Sequence, residues 1–239
     1  YQTDLCICGF ERFKDDWRQR SRISPYSLLI FQSQMELASV YTKPATNMFG
    51  VSIWAKMYRS EIIKRENIRF REDIDYEEDC CFNLDYFRHV TTTSVLRDYF
   101  YRYRQMEQSL SKGYRKDTFE FLINGYRLRS AYLTELGMLD RLDCVDGILL
   151  LVIKSTLIKI FESNMTKQEK LEEYQKVVLF EECQAVCEKS RKAKARLTRM
   201  IGAAVLSKKP EKIHRVLSLW KFAVKVKDYI KRVLRRIKK

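Results

Sequence analysis

The chain has 239 residues, 46% of them hydrophobic, and a formal net charge of +15. This hydrophobic fraction is typical of folded proteins and argues against general disorder. The length allows one large domain or two small ones, and no apolar run approaches the ~18 residues that a membrane-spanning helix requires.

The positive charge is concentrated at the C-terminal end. From Ser207 onward there are thirteen Lys and Arg residues and only two acids. Basic surfaces favour anionic partners such as nucleic acid, lipid headgroups or nucleotide phosphates. The seven cysteines are an odd number, and only two histidines could join them at a metal. We interpret them as reduced thiols of a cytosolic protein rather than as disulfides or zinc ligands.

The first residues read as the middle of a fold. The sequence begins with Tyr, and the apolar run Leu5 to Gly9 predicts a short buried strand, which needs neighbouring strands. We therefore expect a fragment whose N-terminal part is missing.

The next hundred residues mix strand and helix signals. Ser94 to Arg104 alternates, so that Tyr99, Tyr101 and Tyr103 should share one face of a strand. The other elements expected before it are a hairpin or excursion over Glu11–Arg22, a helix over Tyr26–Val40, strand structure within Asn47–Tyr58, a helix over Ser60–Glu66 capped by Ser60, and a strand at Ile68–Phe70.

An acidic cluster opens a helix that follows Asp75. Glu77 and Glu78 are explained as acids that complement the helix dipole, and Asp75 with Glu78 fits an N-cap with a reciprocal partner. Asp79 is different, because the positions three, four and seven residues on are Phe82, Asn83 and Tyr86, and none is a cation. An acid aligned with aromatic residues is a candidate for facing a pocket. The alternative is an ordinary acid in a frayed first turn.

Beyond Gly113 the spacing is helical over Thr118–Leu136, Cys144–Glu162 and Lys167–Lys192. A final basic helix covers Glu211–Lys239. Its apolar stripe, which includes Ile213, Leu217 and Trp220, predicts a helix that lies on an anionic membrane surface. Two alternatives are a solvated helix that docks this stripe on the protein body, and nucleic-acid binding.

Several kinds of chemical site have no motif here. There is no glycine-rich phosphate loop, no His-Glu-x-x-His and no nucleophile elbow. The remaining candidates are the acidic cluster, Trp54 with Lys56, and the aromatic and basic strand that ends at Gln105.

In their order along residues 1 to 113, these features resemble the C-terminal half of glycosyltransferase family 2 catalytic domains, which have the GT-A fold. The matching segments are Thr3–Phe10, Ile53–Arg59, Ile68–Phe70, Glu78–Asn83, Tyr101–Gln105 and Ser109–Ser111. The resemblance implies a nucleotide-sugar donor and inversion at the anomeric carbon.

The same resemblance implies roles for individual residues. Asp79, in the Glu78-Asp79 pair, would be the general base that removes the acceptor's proton, and Glu77 and Glu78 would raise its pKa by repulsion. Trp54 could stack on a sugar, or simply pack in the core. Lys56 and Arg104 are candidates for binding the donor diphosphate or an anionic acceptor, or are plain surface charges. Weaker substrate-binding candidates are Asn47 and Ser109.

Two features depart from the family pattern. The Asp-x-Asp metal motif of the family would precede Tyr1, so a divalent metal (Mg or Mn) is expected in the full-length enzyme with ligands mostly outside this sequence. Some relatives carry a His near the last strand, where this chain has Arg104 and Gln105. The fragment alone is therefore expected to be inactive.

We expect an α/β fold, a partial GT-A (Rossmann-like) sheet followed by a helical C-terminal region and a basic amphipathic helix. The expected boundaries are 1–113, 114–206 and 207–239. The expected activity is hexosyltransferase-like transfer to a lipid-linked or surface-polysaccharide acceptor on the cytoplasmic face of the cell membrane, with no nucleic-acid partner. The alternative is a non-catalytic module that binds membranes or polyanions on a transferase-like scaffold.

Overall fold

The structure, a computed structural model, describes residues 2–14, 20–23, 29–41, 51–74, 77–106, 114, 116 and 118–237. The chain divides into two compact units. The first comprises Tyr1–Gly113 and Glu120–Ile148, and the second comprises Tyr114–Phe119 and Leu149–Lys239. Within the described ranges, every helix is too short or too polar to cross a bilayer.

The first unit combines a mixed sheet with helices. Its strands are β1 (Leu5–Phe13), β2 (Arg20–Ile23), β3 (Leu29–Phe31), β4 (Lys56–Tyr58) and β5 (Thr93–Arg104). Its helices are α1 (Gln34–Tyr41), α2 (Ser60–Arg65), α3 (Glu78–Phe87), most of α4 (Thr118–Glu135) and the start of α5 (Leu142–Glu162).

Strand β1 is the centre of the sheet. It pairs in parallel with β5 and antiparallel with β2 and β4, and β3 pairs antiparallel with the far side of β5. A bulge shifts the β1–β5 register next to Gly9. A Cβ at Gly9 would lie 2.9 Å from the Tyr99 ring and 3.1 Å from the carbonyl oxygen of Asp98, so this close approach requires glycine.

One face of the sheet carries the core of this unit. Leu5, Ile7 and Phe10 from β1 are buried in one cluster with Tyr86 and Phe87 from α3. Along β5, Tyr101 and Tyr103 are partly buried against this cluster, whereas Phe100 is 71% exposed. The predicted alternation of β5 is therefore confirmed.

The second unit is helical. After α5 it contains α6 (Lys167–Leu179), α7 (Glu181–Lys189), α8 (Arg196–Leu206) and α9 (Pro210–Ile237). Thr166 and Glu169 form a reciprocal capping box at the start of α6. Helix α9 packs on α6 and α8, and its Ile213 and Leu217 are fully buried.

Several predicted elements need correction. Leu29–Phe31 is a strand rather than part of a helix, because it pairs with β5, and the helix begins only at Gln34. Ile68–Phe70 is not a strand, since Ile68 is buried and the Phe70 ring stacks on Phe82 at 4.6 Å instead of the segment pairing with a sheet.

Helix starts and breaks also differ from the predictions. The N-cap of α2 is Arg59, without a side-chain cap, so Ser60 is not the cap. Lys167–Lys192 is interrupted at Phe180, whose backbone is extended (φ −70°, ψ 124°). Helix α8 was not predicted. The α/β class with a helical C-terminal region and a basic terminal helix is nevertheless confirmed.

Candidate functional site

One face of α3 holds the segment before α2 through a hydrogen-bonding side chain on each turn. Asp79 accepts a 3.4 Å hydrogen bond from the Ile53 N–H. One turn on, Asn83 is fully buried, accepts from the Tyr58 hydroxyl at 2.7 Å, and donates to the Val51 carbonyl at 2.6 Å. Next along the face, Tyr86 accepts from the Arg59 N–H at 2.8 Å. This is the face that the sequence assigned to Asp79, and its hydrogen bonds hold the segment that carries Trp54 and Lys56.

Asp79 is half-buried at the start of this face. Burial raises its pKa above the ordinary value, and the negative charges of Glu78 and Glu77 add to the increase. The Ile53 N–H and the charge of Lys56 act in the opposite direction. The predicted direction of the shift is thus correct, but burial rather than repulsion is its main cause.

Lys56 lies on β4, and its ammonium is buried although part of the residue remains accessible. It donates a hydrogen bond to the Ser52 carbonyl. Burial lowers the pKa of Lys56 to about 7, against the attraction of Asp79. The cation that local helical spacing could not supply to Asp79 therefore comes from the facing strand.

Backbone strain lies on both sides of this pair. Ala55 and Glu77 both have left-handed backbones, with φ of 59° and 71°. Such conformations are uncommon for residues other than glycine, and they concentrate at functional sites. Here one of them redirects the chain into β4 and the other begins α3.

Glu77 does not act only as a helix-start acid. It is the N-cap residue of α3, but its side chain makes no capping hydrogen bond. Instead its carboxylate forms a salt bridge with Arg129 of α4, and the two side chains are only 11% and 6% exposed. The predicted partner Asp75 lies outside the described residues. No local pattern pointed to Arg129, which follows Glu77 by 52 positions.

Trp54 lies among aromatic rings. Its indole stacks on Tyr101 at 5.0 Å, is tilted against Tyr103 at 5.0 Å, and meets the edge of Phe10 at 4.7 Å. These contacts support the packing role that the sequence left open. Contact with a sugar stays a prediction.

Arg104, the other cationic candidate, does not lie beside Lys56 on the sheet. Lys56 pairs with Ile7 and Arg104 with Phe13, which are six positions apart on β1, or roughly 20 Å along the strand. The backbone positions of Lys56 and Arg104 therefore do not by themselves bring both cations to one phosphate group. Asn47 and Ser109 lie outside the described residues.

Two clefts of about 350 and 300 Å³ open on the opposite face of the sheet. Cys6, Met57 and Leu96 line both of them, and Lys56 also lines the smaller cleft. Asp79 lines neither. Across the described part of the chain, no three His, Cys, Asp or Glu side chains are grouped to hold a metal ion.

Sequence and structure comparisons show what the chain as a whole is similar to. No protein-family model matches the chain. The uncharacterized glycosyltransferase EpsJ of Bacillus subtilis (strain 168) is 30% identical over 147 residues, which cover 57% of this chain and 40% of that protein. The chain thus matches less than half the length of this curated relative.

A solved structure shares the fold. The crystal structure of S. aureus TarS residues 1–349 in complex with UDP-GlcNAc aligns with a TM-score of 0.59 at 16% identity, over 92% of this chain and 60% of that one. This similarity agrees with the expected partial GT-A sheet. The chain contains a glycosyltransferase-like domain.

Proposed function

We propose that the chain is the C-terminal portion of an inverting glycosyltransferase in which Asp79 is the general base. The observation that carries the proposal is the half-buried Asp79 carboxylate, which is fixed by the Ile53 N–H in a glycosyltransferase-like domain. Its pKa is raised, which brings it closer to neutral pH and makes the carboxylate a stronger base.

In the proposed step one proton is transferred, one bond forms and one bond breaks. The acceptor hydroxyl oxygen attacks the anomeric carbon of the donor while its proton passes to the Asp79 carboxylate. A bond forms between that oxygen and the anomeric carbon, and the bond from this carbon to the diphosphate oxygen breaks. The electron pair leaves with the nucleoside diphosphate, and attack from the opposite side inverts the anomeric configuration.

The donor is proposed to be a nucleotide sugar, since the similar TarS structure contains UDP-GlcNAc. Lys56, Trp54 and Arg104 are proposed to contact the donor or acceptor, together with Asn47 and Ser109. Lys56 has the strongest support, because its ammonium interacts electrostatically with Asp79. The sugar is proposed to be a hexose.

The described residues provide no fitting site for a divalent metal. A divalent metal (Mg or Mn) that neutralises the leaving diphosphate is proposed to bind residues that lie mostly outside this sequence. On the face of the sheet opposite the core, Met57 is 75% and Phe100 is 71% exposed. These exposed apolar side chains support the proposal that a further part of the catalytic domain packs against this face. We propose that the nucleotide-binding half packs there.

The acceptor is proposed to be a lipid-linked or surface-polysaccharide precursor on the cytoplasmic face of the membrane. The basic terminal helix supports this location, since positive charge favours anionic lipid headgroups. The same helix favours the second candidate, a module that binds membranes or polyanions without catalysis.

Turnover by the full-length enzyme separates the two candidates. The protein is incubated with nucleotide-sugar donors and a lipid-linked acceptor, and the anomeric configuration of the product is determined by NMR. We expect a glycoside with inverted configuration and release of nucleoside diphosphate. Retention would contradict the single displacement, and absence of transfer with every donor tested would favour the binding module.

Replacing Glu78 with glutamine tests the electrostatics around Asp79. Glu78 contributes to the raised pKa of Asp79, so its neutralisation should lower that pKa. The acidic limb of the pH profile of kcat/KM should therefore move to lower pH, because the carboxylate then stays ionised further into acid. Asp85→Asn is the control, since Asp85 is exposed and pairs with Arg88. An unmoved limb, or one moved to higher pH, would argue against Asp79 as the titrating base.

A further inference from the structure

Helix α9 has two apolar surfaces. One of them packs against α6 and α8 of the same unit, and the other is exposed. Ile213 and Leu217 are fully buried, while Trp220 is half-buried. These residues belong to the stripe that the sequence assigned to a membrane. In this part of the helix that stripe is the docking surface, so it is closed to lipid.

A second stripe faces outward and was not recognised in the sequence. Its members follow the spacing of one helical face and are 57%, 67%, 39% and 67% exposed: Leu219, Phe222, Val226 and Tyr229. Phe222 follows Ile213 by nine residues, and Val226 follows Leu217 by the same interval. Nine residues are about two and a half turns, so the two stripes lie on opposite sides of the helix.

Lysines flank the outward stripe. Lys225 and Lys227 are both exposed and lie on either side of it, and Asp228 is the only acid between Lys212 and Lys231 in the sequence. An apolar stripe bordered by lysines complements a surface that has an apolar interior and negatively charged headgroups. A second copy of the chain would present the same positive charge and be repelled.

We propose that the outward stripe of α9, Leu219, Phe222, Val226 and Tyr229, is the surface that inserts into an anionic lipid membrane. The docked stripe holds the helix on α6 and α8, and the flanking lysines bind the lipid headgroups. This inference deepens the proposed function by assigning its membrane contact to defined side chains.

The experiment measures cosedimentation of the full chain with vesicles of phosphatidylcholine alone or mixed with phosphatidylglycerol. The wild-type chain should bind the mixed vesicles, and binding should weaken as salt is added. The double variant Leu219→Ser/Phe222→Ser should bind at least about tenfold more weakly, because two apolar side chains no longer insert. Leu179→Ser is the matched control, since Leu179 is 69% exposed on α6 of the same unit.

The lysines are tested separately. Lys225→Gln/Lys227→Gln should reduce binding to the mixed vesicles, whereas Lys192→Gln/Lys194→Gln, also at exposed positions, should change it little. The inference would be overturned by equal binding of the wild-type chain and the Leu219→Ser/Phe222→Ser variant. Binding to RNA but not to vesicles, or self-association through the stripe, would also overturn it.

The result does not depend on the catalytic proposal. Sugar transfer to a soluble acceptor analogue by the full-length Leu219→Ser/Phe222→Ser variant measures catalysis apart from membrane contact. Loss of vesicle binding with transfer retained is the expected outcome. Transfer absent even from the wild-type enzyme would count against the catalytic proposal alone.

Discussion

Replacing Asp79 with asparagine is expected to lower the rate of sugar transfer by about 10²–10⁴-fold. The asparagine side chain has nearly the same shape, and its oxygen can still accept the Ile53 N–H, but it cannot take up the acceptor's proton. The fold should persist, because Lys56, with a pKa of about 7, can release its proton once its counter-charge is removed. Initial rates of transfer, with circular dichroism and thermal unfolding of each variant, measure both effects.

Asp85→Asn is the matched control for this variant. Asp85 lies on the same helix, but its side chain is 51% exposed and pairs with Arg88 at 3.1 Å. It should transfer sugar at nearly the wild-type rate. If both variants lose activity equally, the loss comes from a general disturbance of α3 and not from removal of a base.

The Glu77–Arg129 pair gives the largest expected effect on stability. Glu77→Gln should lower the free energy of unfolding by about 3–5 kcal/mol, because it removes a negative charge that is paired with the buried guanidinium of Arg129. Replacing both partners with leucine should cost less than this single change, since neither charge is then buried. Urea unfolding of the variants, combined as a double-mutant cycle, measures the coupling. A cost below about 1 kcal/mol for Glu77→Gln would show that the pair is not a buried contact.

A glycine substitution tests the same pair from the side of α4. A Cβ at Gly125 would lie 2.5 Å from a Glu77 carboxylate oxygen, so Gly125→Ala should displace Glu77 and destabilise the unit. Gly147 of α5 has open space at its Cβ position. Gly147→Ala should therefore stabilise the protein by about 0.5–1 kcal/mol, as alanine is the better helix former. Stabilisation by both changes would contradict the described position of Glu77.

Local periodicity predicted what depends on neighbours along the chain. The shared face of Asp79, Asn83 and Tyr86 is a consequence of helical spacing, and the alternation of β5 is a consequence of strand geometry. Both are confirmed by buried contacts on those faces.

Contacts distant in sequence were not predictable in this way. Arg129 reaches Glu77 from a helix 52 residues later, and Lys56 acts on Asp79 electrostatically from a strand. The terminal helix shows the same limit, because its hydrophobic pattern reveals apolar faces but not which one the protein covers. Burial of Ile213 and Leu217 settled that choice in favour of docking for this part of the helix.

The central claim is that Asp79 takes the acceptor's proton in the transfer step. Steady-state rates can be limited by product release, so the most direct measurement is a single-turnover rate with donor already bound to the full-length enzyme. For Asp79→Asn we predict a rate constant at least about 100-fold below wild type, with the dissociation constant of the donor changed by less than about threefold. A single-turnover rate equal to that of the wild type would contradict the assignment of Asp79 as the base.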